Sequence, residues 1–91
     1  MRCGEHCSKA DYLKMKAKTD AFLKLVKKED PLFLKYGKQL ADDMSEYDSE
    51  LSNRFLFILS KDITLQELYE KEVEIIGELL QNIIVDINEH N

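Results

Sequence analysis

Between Thr64 and Ile87 the apolar residues Tyr69, Val73, Ile76, Leu80, Ile83 and Ile87 recur at alternating steps of four and three. At about 100° per residue these six side chains fall on one face of an α-helix. Leu68, Ile75 and Leu79 widen that face to about half the circumference, beyond the ~100° stripe usual for a surface helix. Such a width predicts a helix that touches more than one neighbour. Its far side carries Glu67, Glu70, Glu74 and Glu78. Thr64-Leu65-Gln66-Glu67 reads as a capping box, in which hydroxyl and carboxylate satisfy orphan backbone N–H groups.

The rest of the chain reads as two more helices. Residues 1–7 precede any periodic pattern and are expected to form a flexible lead-in, with residues 8–91 as one domain. A first helix is predicted over 8–28, with Tyr12, Met15, Thr19, Phe22, Leu23 and Val26 on its apolar face. Glu29-Asp30-Pro31 ends it, because the residue before proline is pushed out of the α region. Asp30 then reads as an N-cap, with Pro31 at the first helical position. A second helix is predicted over 31–60, its face formed by Phe33, Leu40, Met44, Tyr47, Leu51, Phe55 and Ile58. Gly37 lies on that face, where either another helix approaches closely, the favoured reading because the register continues through it, or the first turn and a half is a separate short helix. The third helix spans 64–88.

Three helices with short links fold most simply as an up-down-up antiparallel bundle with long second and third helices. At 1.5 Å per residue the first is ~32 Å long and the second ~45 Å, so the end of the second overhangs. Phe55-Leu56-Phe57-Ile58-Leu59 lies in that overhang and is apolar all round, so it demands cover on every side. Either the lead-in folds back over it or another subunit covers it; the lead-in offers little apolar surface, so the preferred expectation is a symmetric homo-oligomer, a dimer first of all. Its interface would comprise Phe55, Leu56, Phe57, Leu59, Tyr69, Val73, Ile76, Leu80, Ile83 and Ile87.

Composition narrows the class. A chain that is 44% hydrophobic and 34% charged is that of a folded domain. One Pro and three Gly leave little turn punctuation for an all-β fold. No apolar run approaches the ~20 residues that span a bilayer, and Met1 to His6 lack the apolar core of a signal peptide. With two cysteines, the expected compartment is the reducing cytoplasm. Charge is divided unevenly. Residues 1–38 hold ten Lys/Arg against five Asp/Glu, and residues 39–91 hold three against thirteen. A basic first helix beside acidic later ones accounts for this, as does a surface that meets a charged partner.

Three clusters invite chemistry. Cys3, His6 and Cys7 are soft or borderline ligands within five residues, with His90 or a second subunit as the source of a fourth. Their spacing matches no defined zinc finger, and two exposed thiols on a mobile end is the plainer reading. A disulfide between Cys3 and Cys7, or between subunits, requires an oxidising setting. Lys14, Lys18, Lys24, Lys27 and Lys28 form an electrostatic footprint for the phosphates of nucleic acid or a nucleotide. The first helix has no arginine for bidentate phosphate contacts, and a solvated face explains the lysines as well. Asp42, Asp43, Glu46 and Glu50, with the glutamates of the third helix, are the raw material for imitating a nucleic-acid backbone. Glu72 and Asp48 intrude on apolar faces, where a structural ion pair is expected. No Glu-x-x-His or His-Glu-x-x-His metal motif is present. The chain therefore reads as a small non-enzymatic, cofactor-free helical protein that binds another macromolecule as regulator, inhibitor or adaptor. The alternative is a binder of phosphate-bearing ligands through the first helix.

Overall fold

Ser8 and Asp11 start the first helix by mutual capping. The Ser8 backbone N–H donates to Asp11 Oδ2 at 2.9 Å, and the Asp11 N–H donates to Ser8 Oγ at 3.4 Å. In the computed structural model, which describes residues 7–89, four helices follow from such local signals: α1 (Lys9–Lys27), α2 (Phe33–Ser45), α3 (Ser49–Leu59) and α4 (Leu65–Glu89). Among the described residues there is no strand.

Each link has a physical cause. α1 ends in a Schellman motif: Glu29 takes a left-handed φ of 56°, its N–H donates to Val26 O, and Asp30 N–H donates to Leu25 O. Asp30 Oδ1 then accepts from Leu32 N–H at 3.0 Å, and Pro31-Leu32 form a turn before α2 begins at Phe33. α4 starts where Thr64 Oγ1 accepts from Glu67 N–H at 3.1 Å.

The expected continuous helix over 31–60 does not exist. It is two helices, and the three-helix bundle is a four-helix one. The break falls at Glu46-Tyr47-Asp48, where Asp48 is extended (φ −156°, ψ 100°) and its carboxylate accepts from Leu51 N–H at 3.1 Å. Asp48, expected as an intruder on an apolar face, is thus an N-cap. Tyr47 is buried at the turn, with its hydroxyl donating to Asp11 Oδ1 at 3.2 Å. If the break is built by this cap, Asp48→Ala should cost about 1 kcal/mol in urea-unfolding stability. A continuous helix would instead gain slightly from alanine, the best helix former.

Cross-contacts fix the topology. Lys18 Nζ meets Asp43 at 2.5 Å and Tyr47 meets Asp11, so α2 runs antiparallel to α1. Buried Ser52 Oγ donates to Ala41 O at 2.6 Å, joining α3 to α2. Arg54 reaches Glu78 at 3.3 Å between α3 and α4. Lys27 lies over the Tyr69 ring and Cys7 N–H donates to Asp86, so α4 returns antiparallel to α1. Consecutive helices pack on one another and α4 closes back onto α1, giving an up-down-up-down bundle 40 Å long and 21 × 19 Å across.

The core fills the centre of that ring. Phe22 of α1 and Phe55 of α3 meet across the diagonal with ring centroids 5.0 Å apart and planes tilted by 56°. Met15, Val26, Leu40, Met44, Leu51, Leu59, Ile75, Leu79 and Ile83 surround them. The overhang inferred from unequal helix lengths disappears, because α3 folds back onto α2. Gly37 shows the expected close approach: a Cβ placed there would lie 2.8 Å from Leu59 Cδ1 and 2.9 Å from Phe22 Cε1.

Candidate interaction surface

The residues expected to form an oligomer interface divide by helix register. Phe55, Leu59, Ile76 and Ile83 are buried in the chain's own core, while Tyr69, Leu80 and Ile87 are half-buried against it. The greasy segment at the end of α3 therefore has an inner and an outer side. Phe55 and Leu59 point in, whereas Leu56 is 37% and Phe57 60% exposed. Val73 of α4 is also exposed, at 38%. Lys61 Nζ lies 4.9 Å from the centre of the Phe57 ring, a cation–π contact that keeps the ring on the surface. Leu13 and Leu32 are as exposed as Phe57, at 63% and 59%, and the sequence patterning did not single them out.

Around Phe57 and Val73 the outer faces of α3 and α4 form a continuous strip. One open groove is lined by Glu67, Tyr69, Glu70, Lys71, Val73 and Glu74. The next is lined by Arg54, Phe57, Ile58, Lys71, Glu74 and Ile75. They share Lys71 and Glu74, so they are two halves of one surface. Glu78 is tied to Arg54. Glu67, Glu70 and Glu74 are exposed, and among the described residues no ion pair reaches them. Apolar and acidic groups thus lie side by side.

The lysines of α1 are split up. Lys18 is committed to Asp43 and Lys27 to the Tyr69 ring. Lys14, Lys24 and Lys28 are exposed with no ion pair among the described residues. Lys14 and Lys28 are ~21 Å apart along the axis, so these lysines form a line rather than a pocket. The acidic set is dispersed as well. Asp43 neutralises Lys18, and the break sends Asp42 and Glu50 to different helices.

At the other end of the bundle the structure corrects the reading of the cysteines. Cys7, expected as an exposed thiol in the lead-in, is 2% exposed and disulfide-bonded. A disulfide sulfur is not the thiolate that zinc needs. Cys3, His6 and His90 lie outside the described residues. Among the described residues no group of three His, Cys, Asp or Glu is placed to hold a metal ion. Nearby, the Ser8 backbone N–H holds the Asp11 carboxyl below its ordinary range, helped by the Ser8 and Tyr47 hydroxyls. Burial, and then the Asp11 charge, push the Tyr47 phenol up to about 12. This pair is a structural tie between the α2–α3 turn and the start of α1.

The side chain farthest from its expected surroundings is Glu72. It is 0% exposed, and neither carboxylate oxygen has a hydrogen-bond partner. The ion pair expected for it is absent: Arg54 goes to Glu78 and Lys18 to Asp43. Burial raises its carboxyl to about 9.

Among the described residues no helix is long and apolar enough to cross a membrane. The class defined by this geometry is a small up-down-up-down four-helix bundle with a mixed acidic and apolar strip along α3 and α4. No family model, no curated protein and no solved structure matches the chain.

Proposed function

We propose that this chain works by binding another protein through the α3–α4 strip, as a regulator, inhibitor or adaptor, and carries out no reaction of its own. The observation behind this reading is the exposure of Phe57 and Val73 beside Glu67, Glu70 and Glu74, which form no ion pair among the described residues and share their grooves with the single cation Lys71 or with Lys71 and Arg54. Aromatic anchors with a charged rim are the usual anatomy of a binding patch. The partner that fits is a basic amphipathic helix, laying apolar side chains on Phe57 and Val73 and lysines or arginines along the glutamates. A second copy is one such partner, because Lys14, Lys24 and Lys28 with exposed Leu13 give α1 that character. The disulfide at Cys7 fits an oxidising compartment better than the cytoplasm expected from the sequence.

The test titrates the protein with a helical peptide of lysine and leucine at three-four spacing, and with the same peptide carrying glutamate for lysine. The basic peptide should bind, more weakly at high salt, and Phe57→Glu or Glu70→Lys with Glu74→Lys should reduce affinity at least tenfold. Equal affinity for both peptides, or none for either, sinks the reading. Light scattering gives the second-copy form of it: a mass well above 10.7 kDa, lowered by Phe57→Glu, supports self-association, and a monomer at micromolar concentration removes it. The phosphate-binding alternative rests on Lys14, Lys24 and Lys28. It predicts binding of a DNA oligonucleotide at low salt that falls steeply as salt rises.

A further inference from the structure

Glu72 sits one helical turn from Leu68 on one side and Ile76 on the other, in the stripe of α4 that faces the other three helices. All three residues are buried. α1 turns Met15, Thr19, Phe22 and Val26 inward, α2 Gly37, Leu40, Ala41 and Met44, and α3 Leu51, Ser52, Phe55 and Leu59. None of these carries a charge. The phenols packed on the core are Tyr12 on α1, Tyr36 on α2, Tyr47 in the α2–α3 turn and Tyr69 on α4, and the half-buried carboxylates Asp11, Asp30, Asp43, Asp48 and Asp86 lie near helix ends or on the flanks. Tyr47 is engaged with Asp11 and Tyr69 lies under Lys27. Lys18 is spent on Asp43 and Arg54 on Glu78, and half-buried Lys71, the neighbour of Glu72 in sequence, lines the outer grooves of α3 and α4 and makes no hydrogen bond to its carboxylate. A carboxylate at this position would have no ion-pair partner and no hydrogen-bond donor among the described residues.

We infer that Glu72 makes the closure of α4 onto the other three helices conditional on a proton: the bundle is packed while the carboxyl is neutral and loosens when the proton leaves for solvent. The neutral acid tolerates an apolar site far better than the anion does, because ionisation there carries a desolvation penalty that no neighbour offsets. A glutamate in the water-exposed unfolded chain has its ordinary value of 4.5, and in the folded bundle burial raises Glu72 to about 9. The folded value is raised, so the folded state holds the proton more tightly. Stability is full below the unfolded value and declines as pH rises, until the folded value is reached. Opening exposes the inner stripe of α4, with Leu68, Ile76 and Leu79, which the closed bundle hides. The device itself does not depend on any partner.

Urea unfolding across pH 4.5 to 9 tests this on the wild type, Glu72→Gln and Glu72→Met. The wild-type unfolding constant should climb up to about tenfold per pH unit, on the order of 300-fold by pH 7. Both variants lack the ionisable group and should lose that slope. Protection factors of α4 amides, which remove the intrinsic base-catalysed rise of exchange with pH, should fall in the wild type over the same window and hold level in the variants. A carbon-13 carboxyl titration reads Glu72 directly and needs no variant. Parallel pH profiles for wild type and variants, or a Glu72 resonance that titrates in the ordinary glutamate range, would overturn the inference.

Discussion

Phe55→Ala is expected to cost the bundle about 3–5 kcal/mol, read as a shift of the urea-unfolding midpoint with the slope unchanged. Phe55 is fully buried and meets Phe22 across the diagonal of the core. Its loss therefore opens a cavity between helices that have no other direct bond, and both ring–ring contact and buried area disappear. A chain of this size has a total stability of ~5–14 kcal/mol, so the variant should sit near the edge of folding. Phe55→Leu separates the two contributions: it keeps most of the volume and should recover more than half of the loss. Combining it with Phe22→Leu should cost less than the sum of the singles, because the ring pair, worth about 0.5–1.5 kcal/mol, is lost only once. Strict additivity would show that the tilted pair contributes area alone.

The second large effect lies at Gly37, in the opposite direction from cavity formation. A Cβ there would press on Leu59 Cδ1 at 2.8 Å and Phe22 Cε1 at 2.9 Å. The leucine methyl is the end of a flexible side chain and can move. The Phe22 ring is held by Phe55 and cannot move without disturbing the centre of the core. Gly37→Val adds two further methyl groups to the same space and should destabilise by about 3 kcal/mol, at the upper end of overpacking effects. Gly77 supplies the control. A Cβ there meets nothing within 4 Å, so Gly77→Ala should stabilise by ~0.5–1 kcal/mol through helix propensity alone. Opposite signs at two helical glycines in one protein would tie the difference to packing rather than to backbone entropy.

Much of this architecture is legible in the sequence. Apolar periodicity and caps locate α1 and α4 to within a residue or two, and the close approach at Gly37 follows from a glycine on an otherwise bulky face. The break between α2 and α3 is hidden because the three-four spacing runs on through Met44, Tyr47, Leu51 and Phe55 without a glycine or proline. A chain that folds back after a three-residue turn keeps the count of apolar steps while reversing direction. The available signal was Asp48 three residues before Leu51, an N-cap spacing masked by its place in an acidic run. From that one missed turn came the overhang, and from the overhang the demand that another subunit cover Phe55 and Leu59. The candidate surface was only partly readable for a related reason. Charged residues announce their own exposure, but Leu56 and Phe57 differ from Phe55 and Leu59 only in register, which the helix packing decides. Glu72 was visible as an intruder, yet its lack of a partner is a fact of three dimensions.

Cys7 donates to Asp86, and Tyr47 reaches Asp11 close by. The first and last described turns of the chain therefore share one pole of the rod, together with the α2–α3 bend. A tether grafted at Ser8 or at Glu89 would leave from that same pole. Fixed to a bead or sensor chip through either residue, the molecule would stand upright, with the Pro31–Leu32 and Lys61–Asp62 bends farthest from the support. Swapping the attachment end should then leave any measured ligand response the same, which makes immobilisation geometry a simple check on how the rod is built.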